Sequence, residues 1–167
     1  MGWWRIVKAI TLTQPWATLV AIGAKRIETR NWSTKYRGPI AIHAAKSFPA
    51  WAKDLCYSGP LFVKALGLPD ETELLYRDPK PTWVTEAARV LKSLPLGCVI
   101  AEAKIVHCLE TEMIPTFVRP FTEQEKAFGD YSPGRFGFLF EDVVQLSVPM
   151  PAKGALSLWD WDPEVLT

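Results

Sequence analysis

The segment Gly23-Ala24-Lys25-Arg26-Ile27-Glu28-Thr29-Arg30, closed by Trp32, constrains the fold of this chain more than any other. Ahead of it, Trp16, Leu19, Val20 and Gly23 recur at i, i+3, i+4 and i+7, the period of an amphipathic helix. Gln14 and Pro15 open that helix, with Pro15 suited to its first turn, and Gly23 ends it. From Arg26 to Trp32 the pattern alternates as a strand does. A helix must therefore stop and a strand start between Gly23 and Arg26, with charged groups gathered at the junction.

Strand parity sorts these groups. Arg26, Glu28, Arg30 and Trp32 share one face, whereas Lys25 has the opposite parity and reaches Glu28 only from the turn after Gly23. A lysine freed from strand parity in this way can lean over Glu28 and make the pair the centre of a polar pocket; otherwise the two form a surface ion pair of small energetic weight. Convergence of helix, turn and two arginines favours the pocket.

Around this junction the elements are short. Val7 to Thr13 reads as a strand, and Tyr36-Arg37-Gly38-Pro39 turns into a second one, Ile40 to Ala45. From Ser47 to Leu96 the pattern is helical and loop-like: a helix near Ala50 to Cys56, a stretch from Ser58 to Pro81 broken by proline and glycine, and a firmer helix marked by Trp83, Ala87, Val90, Leu91 and Leu94. This section, about 47–96, reads as an insertion between sheet halves. Strands return at Cys98 to Cys108, Phe136 to Leu146 and Ala155 to Trp161. Thr122-Glu123-Gln124-Glu125 has the form of a capping box, which gives Glu125 a structural task. Strands interrupted by helices without regular alternation argue for a single α+β domain with a small β-barrel rather than a doubly wound sheet. The eight tryptophans and 14 prolines agree with many short elements joined by rigid turns.

Net charge is +1, but residues 1 to 53 carry nine Lys or Arg against the single acid Glu28, so the remainder is acidic. Such asymmetry predicts a basic face suited to phosphate-bearing ligands, unless the two halves intermix on the surface. The opening Met1 to Arg5 lacks the apolar stretch of a signal peptide and no run is long enough to span a bilayer, which predicts a cytoplasmic protein with no membrane partner. Cys56, Cys98 and Cys108 are odd in number and unclustered, as reduced thiols are. His107 and Cys108 are strand neighbours pointing to opposite faces, so no metal site is expected. Walker A, GxSxG, HExxH and CxxC patterns are absent.

Several further side chains are candidates for the pocket. Gln14, Trp16 and Trp32 could frame a flat heterocycle by stacking and hydrogen bonding, or could be core. On Ile40 to Ala45, Ala41, His43 and Ala45 share a face, and the small neighbours leave room beside His43 for a ligand or for a packed element with the imidazole bonded to a backbone carbonyl. Tyr131, Ser132, Gly134 and Arg135 form a polar loop able to close one side. The turn Pro151 to Gly154 reads as solvated.

TLTQPW before the first helix, GAKRIETRNW after it, GPIAIHAAK as the next strand and GRFGFLFEDVVQLSVPMPAKG near the end together resemble the ASCH domain family, a branch of the PUA-like β-barrels, whose signature is GxKxxExR. The resemblance covers most of the chain except 57–82, and is nearest to the endothelial-overexpressed lipopolysaccharide-associated factor subgroup. It implies a PUA-like small β-barrel with flanking helices. It also implies a function: some small ASCH proteins hydrolyse N4-acetylcytidine using the lysine of the GxK element, a threonine three residues later and a more distant glutamate. Lys25 matches the lysine, Glu28 stands where the threonine would be, and Glu102, Glu110 and Glu125 are each conceivable as the distant acid.

The expected activity is therefore a cofactor-free, metal-independent amidohydrolase acting on an N4-acylated cytosine nucleoside. Glu28 would serve as general base, Lys25 as oxyanion stabiliser or proton donor, and Arg30 as the group holding Glu28 or the base. Gln14, Trp16, Trp32, His43, Tyr131 and Arg135 would bind the substrate. The pocket would be formed by the first helix, the signature strand and the His43 strand. An RNA-binding module is the alternative from another class, and a ribonuclease using Lys25 and His43 a third.

Overall fold

The computed structural model describes residues 6–69 and 83–164. The opening Met1 to Arg5 and the second half of the proline- and glycine-broken stretch lie outside these residues. Strand β1 (Val7–Leu12) leads into helix α1 (Trp16–Ala21), strand β2 (Ile27–Arg30) and strand β3 (Gly38–Ala44). Helices α2 (Ala50–Ser58), α3 (Pro60–Ala65) and α4 (Trp83–Ser93) follow, then strand β4 (Cys98–Glu110). A 3₁₀ turn at Thr111–Met113 and two short helices, α5 (Ile114–Phe117) and α6 (Glu123–Ala127), precede strands β5 (Phe136–Pro151) and β6 (Leu158–Trp161).

The six strands form one sheet in the order β2-β5-β4-β3-β1-β6. Only β1 and β3 run parallel; the other pairs are antiparallel. This is an α+β architecture, and since β2 and β6 stand at opposite ends of the strand order, the expected barrel is not strictly closed.

Gly23 ends α1 as its position suggests: its φ is +76°, open to glycine without cost, and its amide donates to the Val20 carbonyl. The next turn returns to the helix, because the Lys25 amide donates to Leu19 O at 3.0 Å. Ala17, Val20 and Ala21 of α1 pack into the main core with Ile10 and Leu12 of β1, Ile40, Ile42 and Ala44 of β3, and Phe138 and Phe140 of β5. Ala9, Ala41, Val99 and Trp161 form a smaller core of their own. The alternation of β3 thus divides Ile40 and Ile42 from Ala41 as the period of two requires.

Three local expectations are corrected. The segment after Ser58 contains a helix where a broken loop was expected, because Pro60 occupies the helix start, where its missing N–H costs nothing. Strand β5 runs to Pro151 rather than Leu146, since β4 continues to pair with it as far as Cys98↔Pro151 through three irregular steps. In the expected capping box, Thr122 Oγ1 does accept the Glu125 amide at 3.1 Å, but the Glu125 carboxylate turns away from its own helix. Both its oxygens accept from the signature strand, Oε2 from Arg26 N–H at 2.9 Å and Oε1 from Ile27 N–H at 3.0 Å.

Helices α2 to α4 have a core of their own around Cys56, Leu68, Ala87 and Leu91. Burial pushes the Cys56 thiol up to about 12. A separate cluster of Leu19, Phe62 and Phe128 joins α3 to α1 and to the chain after α6, with the Phe62 and Phe128 rings edge to face at 4.7 Å.

Candidate functional site

Lys25 is 1% exposed and Glu28 8%. From the turn after Gly23 the Lys25 ammonium donates to the carbonyls of Ile27 and Phe128, the latter at 2.8 Å, and lies 3.7 Å from Glu28 Oε2. Burial pulls the Lys25 pKa below the ordinary lysine value; the Glu28 and Glu125 carboxylates oppose that pull, and Arg30 adds slightly to it. On the other side of Glu28, Arg30 Nε is 3.0 Å from Oε1, and Arg30 Nη2 donates to Thr11 O at 2.7 Å. Glu28 is thus held between a buried ammonium and a half-buried guanidinium.

The open side of Glu28 faces a cleft of about 380 Å³, walled by Thr13, Trp16, Arg30, Trp32, Trp51 and Arg135 among others. A smaller hollow of about 330 Å³, sharing Trp16, Glu28 and Thr29, continues toward Phe128 and Asp130. Trp16 and Trp51 meet with ring centroids 5.6 Å apart and planes tilted by 39°, while Trp32 sits edge-on to Phe138 at 4.9 Å. Arg135 is brought in by the loop after α6: its Nε is 3.3 Å from Asp130 Oδ2 and its Nη2 donates to Thr29 O at 3.5 Å. Aromatic faces beside a carboxylate and two guanidinium groups can hold a flat heterocycle by stacking while its polar edge meets both donors and acceptors.

Of the residues singled out by sequence, Trp16, Glu28, Arg30, Trp32 and Arg135 line this cleft together. Lys25 is not among the lining residues of either hollow; it sits behind Glu28 with its ammonium engaged by backbone oxygens. Gln14 is fully buried and cross-links the chain, donating to Pro95 O at 2.8 Å and accepting from Thr18 N–H at 3.1 Å. Tyr131 packs on Phe121, and its hydroxyl donates to Glu125 Oε1 at 3.4 Å. Burial and the neighbouring carboxylates raise its pKa far above the ordinary phenol value. His43 lines a different cavity, its Nε2 3.0 Å from Ala152 O. The expected pocket of first helix, signature strand and His43 strand therefore lacks its third wall, and Thr11 and Thr13 at the end of β1 take that place.

Sequence reasoning overlooked Trp51, Thr13, Thr29, Asn31 and Asp130. Trp51 is 61% exposed in the first turn of α2, and a large aromatic there, on the helix following β3, was the available signal. Among the three candidate distant acids, Glu125 is the one whose charge bears on Lys25, while Glu110 is exposed at the end of β4.

The profile of the ASCH domain matches residues 10–147, a span that contains every residue lining the cleft. Activating signal cointegrator 1 from Mus musculus and from Homo sapiens are each 26% identical to the chain over 164 residues. That alignment covers 98% of this chain and 23% of theirs, so the chain spans about a quarter of the length of these relatives.

Proposed function

This chain belongs to the ASCH domain family, with its PUA-like fold, and from that footing we propose that it is an amidohydrolase acting on N4-acylated cytosine nucleosides. The observation that carries the reading is Glu28, a nearly buried carboxylate between Lys25 and Arg30 at the edge of an aromatic-walled polar cleft. The kinship to the endothelial-overexpressed lipopolysaccharide-associated factor subgroup is part of the same reading and rests on the QP turn, the ETR run and the IAIH strand.

In the proposed reaction the cytosine ring lies against Trp16 and Trp32. Glu28 takes a proton from water as the water oxygen adds to the acyl carbon, and the carbonyl electron pair moves onto its oxygen. Arg135, on the cleft wall, is the cation available to that developing charge. Collapse of the tetrahedral species breaks the bond to N4, which receives the proton from Glu28, so the products are the free cytosine amine and a carboxylic acid. Lys25 acts through Glu28 as a positioning residue, because its ammonium already serves two backbone carbonyls. No step requires a metal.

The test is incubation with N4-acetylcytidine in the presence of chelator, following cytidine by chromatography. Cytidine should accumulate, and Glu28→Gln should slow its release by at least about a hundredfold with an unchanged melting temperature, the usual scale for losing a positioned base. Absence of turnover in the wild type, or full turnover in Glu28→Gln, overturns the reading.

A second reading, RNA binding, is favoured by the exposed positions of Arg26, Lys35, Arg37 and Lys46, none of which has an ion-pair partner among the described residues. Under that reading, affinity for single-stranded RNA falls steeply with salt as counterions are released. The ribonuclease reading loses its acid–base pair, since Lys25 lies behind Glu28 and His43 lines another cavity.

A further inference from the structure

A second cavity, of about 740 Å³, opens between the end of β3 and the chain that leaves β5. Thr11 and His43 contribute from the sheet, Leu96 and Leu156 supply apolar wall, and Lys46 and Lys153 supply positive charge. No acidic residue stands among its described lining residues. Both lysines are exposed, and neither is in an ion pair among the described residues. Leu156 is 92% exposed, an apolar side chain left in water over the opening.

His43 closes the inner wall of this cavity. The residue is 2% exposed, its Nε2 donates to Ala152 O, and its Nδ1 is left a buried acceptor with no partner. Gly154 permits the arrangement: a Cβ there would fall 2.7 Å from Nδ1 and 2.8 Å from Thr11 Oγ1. The ring is therefore part of the inner wall of the cavity, shielded by Gly154, and senses what occupies the cavity without bonding to it.

We infer that this cavity is a binding site for a small amphipathic anion: an apolar or aromatic body carrying one phosphate, sulfate or carboxylate group. The anionic group meets Lys46 and Lys153, and the body covers Leu96 and Leu156. Exposed ammonium groups each add little in water, so the apolar body is required for affinity and a bare anion does not suffice. The inference is independent of the amidohydrolase reading, whose cleft shares only Thr11 with this cavity.

With only two histidines in the chain, the His43 ring is a clean reporter, and His107→Gln identifies its signals by subtraction. The 15N-labelled protein is titrated with 1-naphthyl phosphate, inorganic phosphate and 1-naphthylmethanol, following the imidazole resonances by NMR. The expected result is a saturable shift of the His43 ring with 1-naphthyl phosphate, with the other two compounds at least about tenfold weaker. In Lys46→Ala/Lys153→Ala, and separately in Leu156→Ser, the affinity should fall by at least about tenfold. An unmoved His43 ring, inorganic phosphate binding as tightly as the aryl phosphate, or undiminished binding by the double lysine variant would each overturn the assignment.

Discussion

A single buried ammonium organises the signature segment. Lys25 loses hydration on burial, recovers part of it from two backbone carbonyls, and is balanced by carboxylates on two elements. Lys25→Met keeps the length of the side chain but strands those carbonyls and leaves Glu28 with Arg30 alone. It should destabilise the protein by about 3 kcal/mol in urea titration, the scale for breaking a buried pair from one side. Arg30→Met, at a half-buried position, should cost about 1 kcal/mol. His43 gives a second prediction at this scale. Its pKa lies below the ordinary 6.5 because burial disfavours the charged ring, with the Ala152 carbonyl opposing. As pH falls below about 6.5 the unfolded chain takes up a proton that the folded chain refuses, so stability declines until the folded pKa is reached and then levels off. Thermal melts in that window should show a shallower decline for His43→Gln than for the wild type.

Between elements, α6 and β2 are joined by an acid reaching away from its own helix. Glu125 accepts the amides of Arg26 and Ile27, which begin the strand carrying Glu28, and Gln124 Nε2 donates to Ala24 O at 2.8 Å beside them. Helix α6 therefore holds the signature segment by its side chains. Hydrogen bonds to a charged acceptor are worth roughly 1.5–3 kcal/mol. Glu125→Ala should thus raise hydrogen exchange at the Arg26 and Ile27 amides by at least about tenfold, while amides in the middle of β4 change little. Removing the cap with Thr122→Ala should cost about 1 kcal/mol and loosen the same two amides indirectly.

Across the molecule, two cores of different character meet at the cleft. The sheet core is closed by α1 and continuous through β1, β3, β4 and β5, whereas α2 to α4 bury a smaller cluster of their own. The helical layer is connected to the rest through Phe62, Phe128 and Leu19, and through the Trp51 ring on Trp16. Such a layer opens at lower free energy than the sheet. Hydrogen exchange should therefore show amides of α2 and α4 exchanging faster than those of β3 and β4. Because Trp51 rides on α2, opening of that layer removes one aromatic wall from the cleft without disturbing Glu28.

Features governed by neighbours in the chain were legible in the residue order. The period of α1, its stop at Gly23, the two faces of β3 and the Thr122 cap each depend on contacts within a few residues, where geometry leaves little choice. The proximity of Lys25, Glu28 and Arg30 belongs to the same class, since a turn and a short strand suffice to bring them together. Partnerships across the chain were not legible. Glu125 has the spacing of a capping acid, yet it serves amides 98 and 99 residues away. Gln14 looks like a ligand group but ties to Pro95. His43, expected in the cleft, lines another cavity, and Trp51, not singled out from the sequence, forms one of the cleft walls. A polar or aromatic side chain advertises what it can bond to but not which partner closure of the sheet will bring, and desolvation makes that partner binding once the core has formed.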